Sequence, residues 1–408
     1  MKTANARHSP RLVAGVIALN LALALAGCDQ LIKRAGGGED AAAPADPVAG
    51  GDPARDRSAG PAMDSVAEVP VVDRFDLDPA IVDGESAFAA GFWSHPTLAF
   101  SSIVLAGGHD GLVGFVVESG AEAARIDGRV DALDVAYIGG AGYAFALDAG
   151  TATGIGRLRI ISIDDIDQSF DISSALDNEA FSEGTGVCAA GDPDQPGATI
   201  AYVATARGAV FVEVGIADGV PAVSGVSAPV GAPAIDCAID PATGEAFFLG
   251  TDMSVRRGPD GPALARLEAA SAIGLILKRP EAPEDDADAP PATSTFLVAL
   301  NRSSGRVQVL SGETGDILGE ISLTASFDHA AVASGGALAA GFGNYGAVYR
   351  DGAIAVGSTG ADGANVSVIP WNAVADRLGL PLSAGVAPRN LQPEEEDPFA
   401  VDISPTQP

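Results

Sequence analysis

Val187-Cys188-Ala189-Ala190, Thr199-Ile200-Ala201-Tyr202-Val203-Ala204 and Ala209-Val210-Phe211-Val212-Glu213-Val214 follow one another within 28 residues. Each run has the length of a β-strand, and each stops at a glycine or a short polar turn. The same texture extends from Val71 to Leu382. Ile103-Val104-Leu105, Leu112-Val113-Gly114-Phe115-Val116-Val117, Ala246-Phe247-Phe248-Leu249, Thr295-Phe296-Leu297-Val298-Ala299 and Ala353-Ile354-Ala355-Val356 are all short and bounded by turn residues. No long stripe with a helical 3.6-residue period competes with them. Aligning the central residues of comparable runs, Val104, Phe145, Val203, Phe248, Val298 and Ile354, gives separations of 41, 58, 45, 50 and 56 residues. A unit of this length holding three or four strands is a propeller blade. The spacing predicts an all-β, six-bladed β-propeller; a large β-sandwich or two stacked β-domains is the rival reading.

Composition supports a large core made from small side chains. Of 408 residues 47% are hydrophobic but only 5% aromatic, so Ala, Val, Ile and Leu must fill the interior. That is enough apolar material to exclude wholesale disorder. The formal net charge is −31, from 23 Lys+Arg against 54 Asp+Glu. A chain this acidic lacks the field that holds a phosphate backbone, which excludes nucleic acid as a partner.

The first residues read as an export signal. Lys2, Arg7 and Arg11 precede the apolar run Leu12–Ala26, which is too short to span a bilayer comfortably and is interrupted by Asn20. It ends in Leu25-Ala26-Gly27-Cys28, which resembles a bacterial lipobox: small residues admit the peptidase, and the acylated Cys28 becomes the new N-terminus. Residues 1–27 are thus expected to be removed, leaving 20 basic and 54 acidic residues, a net −34. Acyl chains on one cysteine suffice for a stable anchor. The expected location is the periplasmic side of a bacterial envelope, with the membrane touched through the lipid alone. Asp29 resembles an inner-membrane retention signal, and the choice of membrane stays open.

Residues 28–70 read as the lipidated cysteine and a disordered tether, and 388–408 as a disordered acidic tail carrying Glu394-Glu395-Glu396-Asp397. The Pro-rich acidic stretch 279–293 reads as a surface loop inside the propeller, whose expected bounds are 71–387. The chain is expected to be monomeric.

Several segments, in order, resemble the bacterial β-propeller phytases. Phe92-Trp93-Ser94-His95-Pro96 is similar to that family's Ile-Trp-Val-His-Pro, and Asp131-Ala132-Leu133-Asp134-Val135-Ala136-Tyr137 to its Asn-Asn-Val-Asp-x-Arg-Tyr. Gly184–Cys188 resembles Tyr-Gly-Leu-Cys, and Ile235–Asp240 resembles Glu-Gly-Cys-Val-x-Asp. Arg350-Asp351-Gly352 and Asn365–Trp371 resemble Gln-Asp-Gly and Phe-Lys-Leu-Val-Pro-Trp. The resemblance implies six blades and calcium-dependent phytate hydrolysis, with carboxylates holding several calcium ions. At the positions where it implies carboxylates, however, stand Phe88-Ala89-Ala90-Gly91, Ile235, Thr251 and Ile273, with Asp328 surviving beside His329, and His109 and Ala136 stand where it implies a lysine and an arginine that clamp phosphate. Hydrocarbon side chains offer no oxygen, and without bridging cations an acidic protein repels phytate. The expected outcome is a degenerate site on an envelope propeller that binds an unknown ligand or envelope protein. A phosphoester hydrolase with an altered site is the alternative. No catalytic or metal-ligating residue is assigned.

His109, Asp134, Asp236, Asp252 and Asp328 are the candidates for a residual polar pocket, against the plainer reading of solvated turn residues. His95 reads as a packed structural histidine. Asp192-Pro193-Asp194-Gln195-Pro196-Gly197 begins like a calcium loop, but Val203 stands where its last glutamate belongs. Cys188 and Cys237 lie 49 residues apart, about one blade. An exported protein permits a disulfide there, and two buried thiols are the alternative.

Overall fold

Each of the six central runs becomes the second strand of a four-stranded antiparallel blade, and the sheet of blade 5 gains a fifth strand paired in parallel. The computed structural model describes residues 66–79, 81–82, 89–150, 154–195, 197–217, 219–278, 294–360, 363–380 and 386–391. Blade 1 comprises Ala89–Trp93, Ile103–Gly107, Gly111–Val116 and Glu122–Asp127; blade 2, Ala132–Ile138, Ala141–Asp148, Gly156–Ile163 and Phe170–Asn178. Blade 3 comprises Gly184–Gly191, Thr199–Thr205, Gly208–Ala217 and Val220–Val226; blade 4, Ala234–Ile239, Ala246–Gly250, Ser254–Arg257 and Ala263–Arg266. Blade 5 comprises Ala272–Lys278, Ser294–Asn301, Arg306–Ser311 and Ile317–Thr324; blade 6 takes Ala337–Gly341, Ala353–Gly360 and Gly363–Pro370 from the C-terminal part of the chain. The first strand of every blade packs against the first strands of both neighbours, so the six inner strands form a closed ring. This is the six-bladed propeller expected from the spacing.

The ring closes with strands from the N-terminal side. Asp73–Asp76 supplies the missing outer strand of blade 6, antiparallel to Asn365–Val368. The Tyr349 hydroxyl donates to Asp73 Oδ2 at 2.5 Å and fastens the joint. Just before it, Ala67–Pro70 runs parallel to Ile321–Thr324 on the outside of blade 5. The helix Trp371–Leu378 packs beside it, burying Trp371, Val374 and Leu378 with Val69 and Val71.

Both expected boundaries move outward. The fold includes residues 67–70, because Val69 and Val71 are apolar and their strand finds an open sheet edge. It also includes Pro388, which was expected to open the tail: Pro388–Asn390 is one 3-10 turn docked on the ring, with Val386 buried. Residues 1–65, with Cys28, the loop 279–293 and the tail from 392 lie outside the described residues.

The core is divided among the blade interfaces, with one buried cluster between each pair of neighbours. Small residues set the spacing of the inner ring. A Cβ on Gly186 would lie 2.3 Å from Asp236 Oδ1 and 2.6 Å from its Cα, so only glycine lets blades 3 and 4 approach this closely. The cluster between these two blades is Cys188, Ala190, Ala204, Ala209, Ala234, Cys237, Ile239, Ala246 and Phe248, poor in large side chains. Here the structure joins Cys188 to Cys237 in a disulfide, with Cα atoms 5.6 Å apart.

Candidate functional site

The inner strands surround a channel. All six begin at one face, here called upper, and end at the other, called lower. Toward the upper face a cavity of about 430 Å³ is bordered by Ala89, Ala132, Thr185, Asp236, Ser271 and Arg302. Toward the lower face a narrower one of about 110 Å³ is bordered by Phe92, Asp134, Ala189, Asp236, Tyr345 and Pro388. Asp236 borders both.

Asp134 and Asp236 are each the third residue of an inner strand, in blades 2 and 4. Each carboxylate bridges its own strand to the next blade. Asp134 Oδ1 accepts from Val135 N–H and Oδ2 from Ala189 N–H of blade 3, both at 2.8 Å. Asp236 Oδ1 accepts from Cys237 N–H at 2.9 Å and Oδ2 from Ile273 N–H of blade 5 at 2.8 Å. Protein encloses both, although each keeps some contact with the channel. Burial disfavours the charged form and pushes each carboxyl up to about 7, against the pull of the amide donors; the charge of Asp134 adds to the rise at Asp236. These two expected site residues therefore come together on one channel.

The other three do not. His109 sits in the exposed turn joining the second and third strands of blade 1, its Nδ1 3.0 Å from Asp110 Oδ1. Asp252 occupies the matching turn of blade 4 and takes bonds from Ser254 N–H, Ser254 Oγ–H and Arg256. Those bonds, Ser254 first, hold its carboxyl down at about 2. Asp328 is exposed in the connection from blade 5 to blade 6. All three lie on turns at the upper face, and none borders either cavity. His95 is structural: its Nδ1 accepts from Thr97 and Leu98 N–H at 3.2 and 2.9 Å, folding the turn after Trp93.

Two cations escaped the sequence reading. Lys278 ends the inner strand of blade 5, is 1% exposed and donates to Asp351 O. Burial pushes its ammonium down to about 8, with Asp351 opposing. Arg389 projects from the C-terminal turn into the lower face between blades 1 and 2. Its only sequence signal is Val386 and Leu391 flanking Pro388-Arg389, which is too short for a periodicity.

The residues present do not fit a calcium cluster. Ala89 and Ile273, at positions where the resemblance implies carboxylates, are buried and carry no oxygen on the side chain. Among the described residues no three His, Cys, Asp or Glu side chains are grouped to hold a metal ion. No protein-family model matches the chain, and no curated protein is significantly similar to it. The likeness to the phytases therefore rests on the motif order alone.

Proposed function

We propose that this chain is a lipid-anchored envelope propeller that binds a ligand or protein partner at the upper mouth of its channel, and that its phytase-like site is degenerate. The observation that carries this reading is the channel wall itself. Asp134 and Asp236 are engaged with backbone N–H groups of neighbouring blades, Asp131 at the upper cavity is paired with Arg129 and accepts from Ala149 N–H, and the implied carboxylate positions Ala89 and Ile273 are hydrocarbon. Such a wall cannot assemble several hard cations, which need many oxygen ligands each. The upper cavity has the ordinary make-up of a small-ligand site: apolar walls, with Asp131, Thr185, Asp236, Ser271 and Arg302 as its few polar groups.

The test is calcium titration of the full chain, followed by thermal unfolding and by phosphate release from phytate. A cation that binds only the folded channel adds about 2.7 kcal/mol at a hundredfold excess over its dissociation constant. The expected result is a melting temperature that moves by only about a few degrees between chelator and millimolar calcium, with no phosphate released. A large calcium-dependent shift together with turnover would restore the calcium-dependent enzyme.

One observation favours the hydrolase alternative. Asp134 and Asp236 are two carboxyls on one channel, both raised toward neutrality, which is where acid–base pairs operate. Calcium-independent hydrolysis of p-nitrophenyl phosphate, lost in Asp236→Asn, would establish it.

A further inference from the structure

On the lower face the guanidinium of Arg389 fills a pocket of polar and aromatic groups. The Arg389 side chain is 9% exposed. Its Nε donates to Ser94 O at 2.9 Å and its Nη1 to Gly140 O. Nη2 donates to Asp165 Oδ1 at 2.8 Å and Nη1 to Oδ2 at 3.3 Å, the two-pronged arrangement that matches a guanidinium to a carboxylate. The rings of Trp93 and Tyr137 each have their centroid 5.1 Å from Arg389 Cζ. Two carbonyls, one carboxylate and two aromatic faces thus converge on one planar cation. An ammonium could not match this planar set, being a compact point charge without the fork.

Pocket and occupant differ in how they are held. The pocket belongs to the ring: Trp93 is wholly buried, and the Tyr137 hydroxyl accepts from Ser94 N–H at 2.6 Å. The Asp165 turn is folded by Asp164, which accepts from Ile166 and Asp167 N–H. That turn is tied to blade 1 by Gln168 Nε2, donating to Ser101 O at 2.7 Å. The occupant is a six-residue described segment, Val386–Leu391, with a single 3-10 turn. Short segments of this kind open locally at far lower cost than a closed ring of sheets.

We propose that this pocket recognises an arginine side chain on an extended peptide of a partner protein, and that Arg389 occupies it as a tethered internal ligand. Val386, Ala387 and Pro388 lead into Arg389, so the ligand class is a short apolar-Pro-Arg segment. Pro388 and Leu391 of the internal ligand's own segment also border the lower cavity. Because Arg389 belongs to the same chain, its effective concentration at the pocket is high, and an external peptide competes poorly until Arg389 is removed.

The test uses the full chain carrying Trp371→Phe, which leaves Trp93 as the sole tryptophan reporter beside the pocket. Acetyl-Ala-Pro-Arg-Asn-Leu-amide is titrated into this chain and into its Arg389→Ala derivative, following Trp93 emission and acrylamide quenching. The expected result is binding at least tenfold tighter in Arg389→Ala. The lysine analogue of the peptide should bind at least tenfold more weakly, and Asp165→Asn should abolish binding without changing the far-ultraviolet spectrum. Arg389→Gln, which preserves much of the side chain's reach, gives the same test should the alanine variant fold poorly. A folded Arg389 variant that leaves the peptide unbound at millimolar concentration, or binds the lysine analogue equally well, would overturn the proposal.

Discussion

Asp134 and Asp236 show how one residue type can be both structural and titratable here. Each holds two blades together through two N–H donors, yet each is pushed up to about 7 by burial. An unfolded aspartate titrates near about 3.9. Between these values the folded protein holds more protons than the unfolded chain, so these groups make stability fall as pH rises from about 4 to about 7. Asparagine imitates the protonated acid and removes the titration. The double variant Asp134→Asn/Asp236→Asn should therefore show a shallower decline of the urea midpoint between pH 4.5 and 7.5 than the parent; an unchanged slope would mean that the carboxyls are ionised throughout. At the junction of blades 3 and 4, Gly186→Ala places a methyl group 2.6 Å from the Asp236 Cα, a backbone atom that cannot rotate away. A destabilisation of about 1–3 kcal/mol, the usual range for overpacking, is expected in urea unfolding.

At the scale of the element, the blades differ in how their interfaces are held. Most are filled by Val, Ile, Leu and aromatic side chains, whereas the junction of blades 3 and 4 is mainly Ala and Cys. The Cys188–Cys237 bond joins the inner strands there, closing a loop between residues 49 apart in sequence. Cross-links over loops of this size stabilise by about 2–4 kcal/mol, chiefly by restricting the unfolded chain. Cys188→Ala/Cys237→Ala should lower the urea-unfolding free energy by about that much. The same loss should follow reduction of the parent, and no further loss should follow reduction of the double variant. The run Asp73-Arg74-Phe75-Asp76 illustrates how little of an element's role lies in its own residues. Nothing in these four residues marks that role, and only the vacant edge of blade 6 gives them the task of closing the ring.

For the whole molecule, the proposed anchor and the acidic charge act together. A net charge of −31 disfavours attraction to anionic lipid, so Cys28 would carry the attachment. Cys28→Ser should move the full chain from the membrane fraction to the soluble one; unchanged fractionation would remove the lipoprotein reading. Among the described residues no helix is long and apolar enough to cross a membrane.

Blade number and strand positions were legible because their causes are local. Short apolar runs and the glycine, asparagine and aspartate stops recur in each unit, and Val104, Phe145, Val203, Phe248, Val298 and Ile354 all fall on second strands. Asp134 and Asp236 could be named as polar residues in apolar runs. Their convergence could not, because a strand's sequence does not state which neighbour its face will meet. His109, Asp252 and Asp328 carry the same chemical promise in sequence but end on turns outside the cavities, since a turn directs a side chain by its own hydrogen bonds. Arg389 was illegible for the opposite reason: its partners Ser94, Gly140 and Asp165 lie more than 220 residues away, and only ring closure brings them to the C-terminal turn. The amino-acid sequence by itself determined the six-fold repetition of sheets, because strand length and turn chemistry act within a few residues. Tertiary structure alone decided which carboxylates face the channel and where Arg389 docks, because those contacts join separate blades or the two ends of the chain.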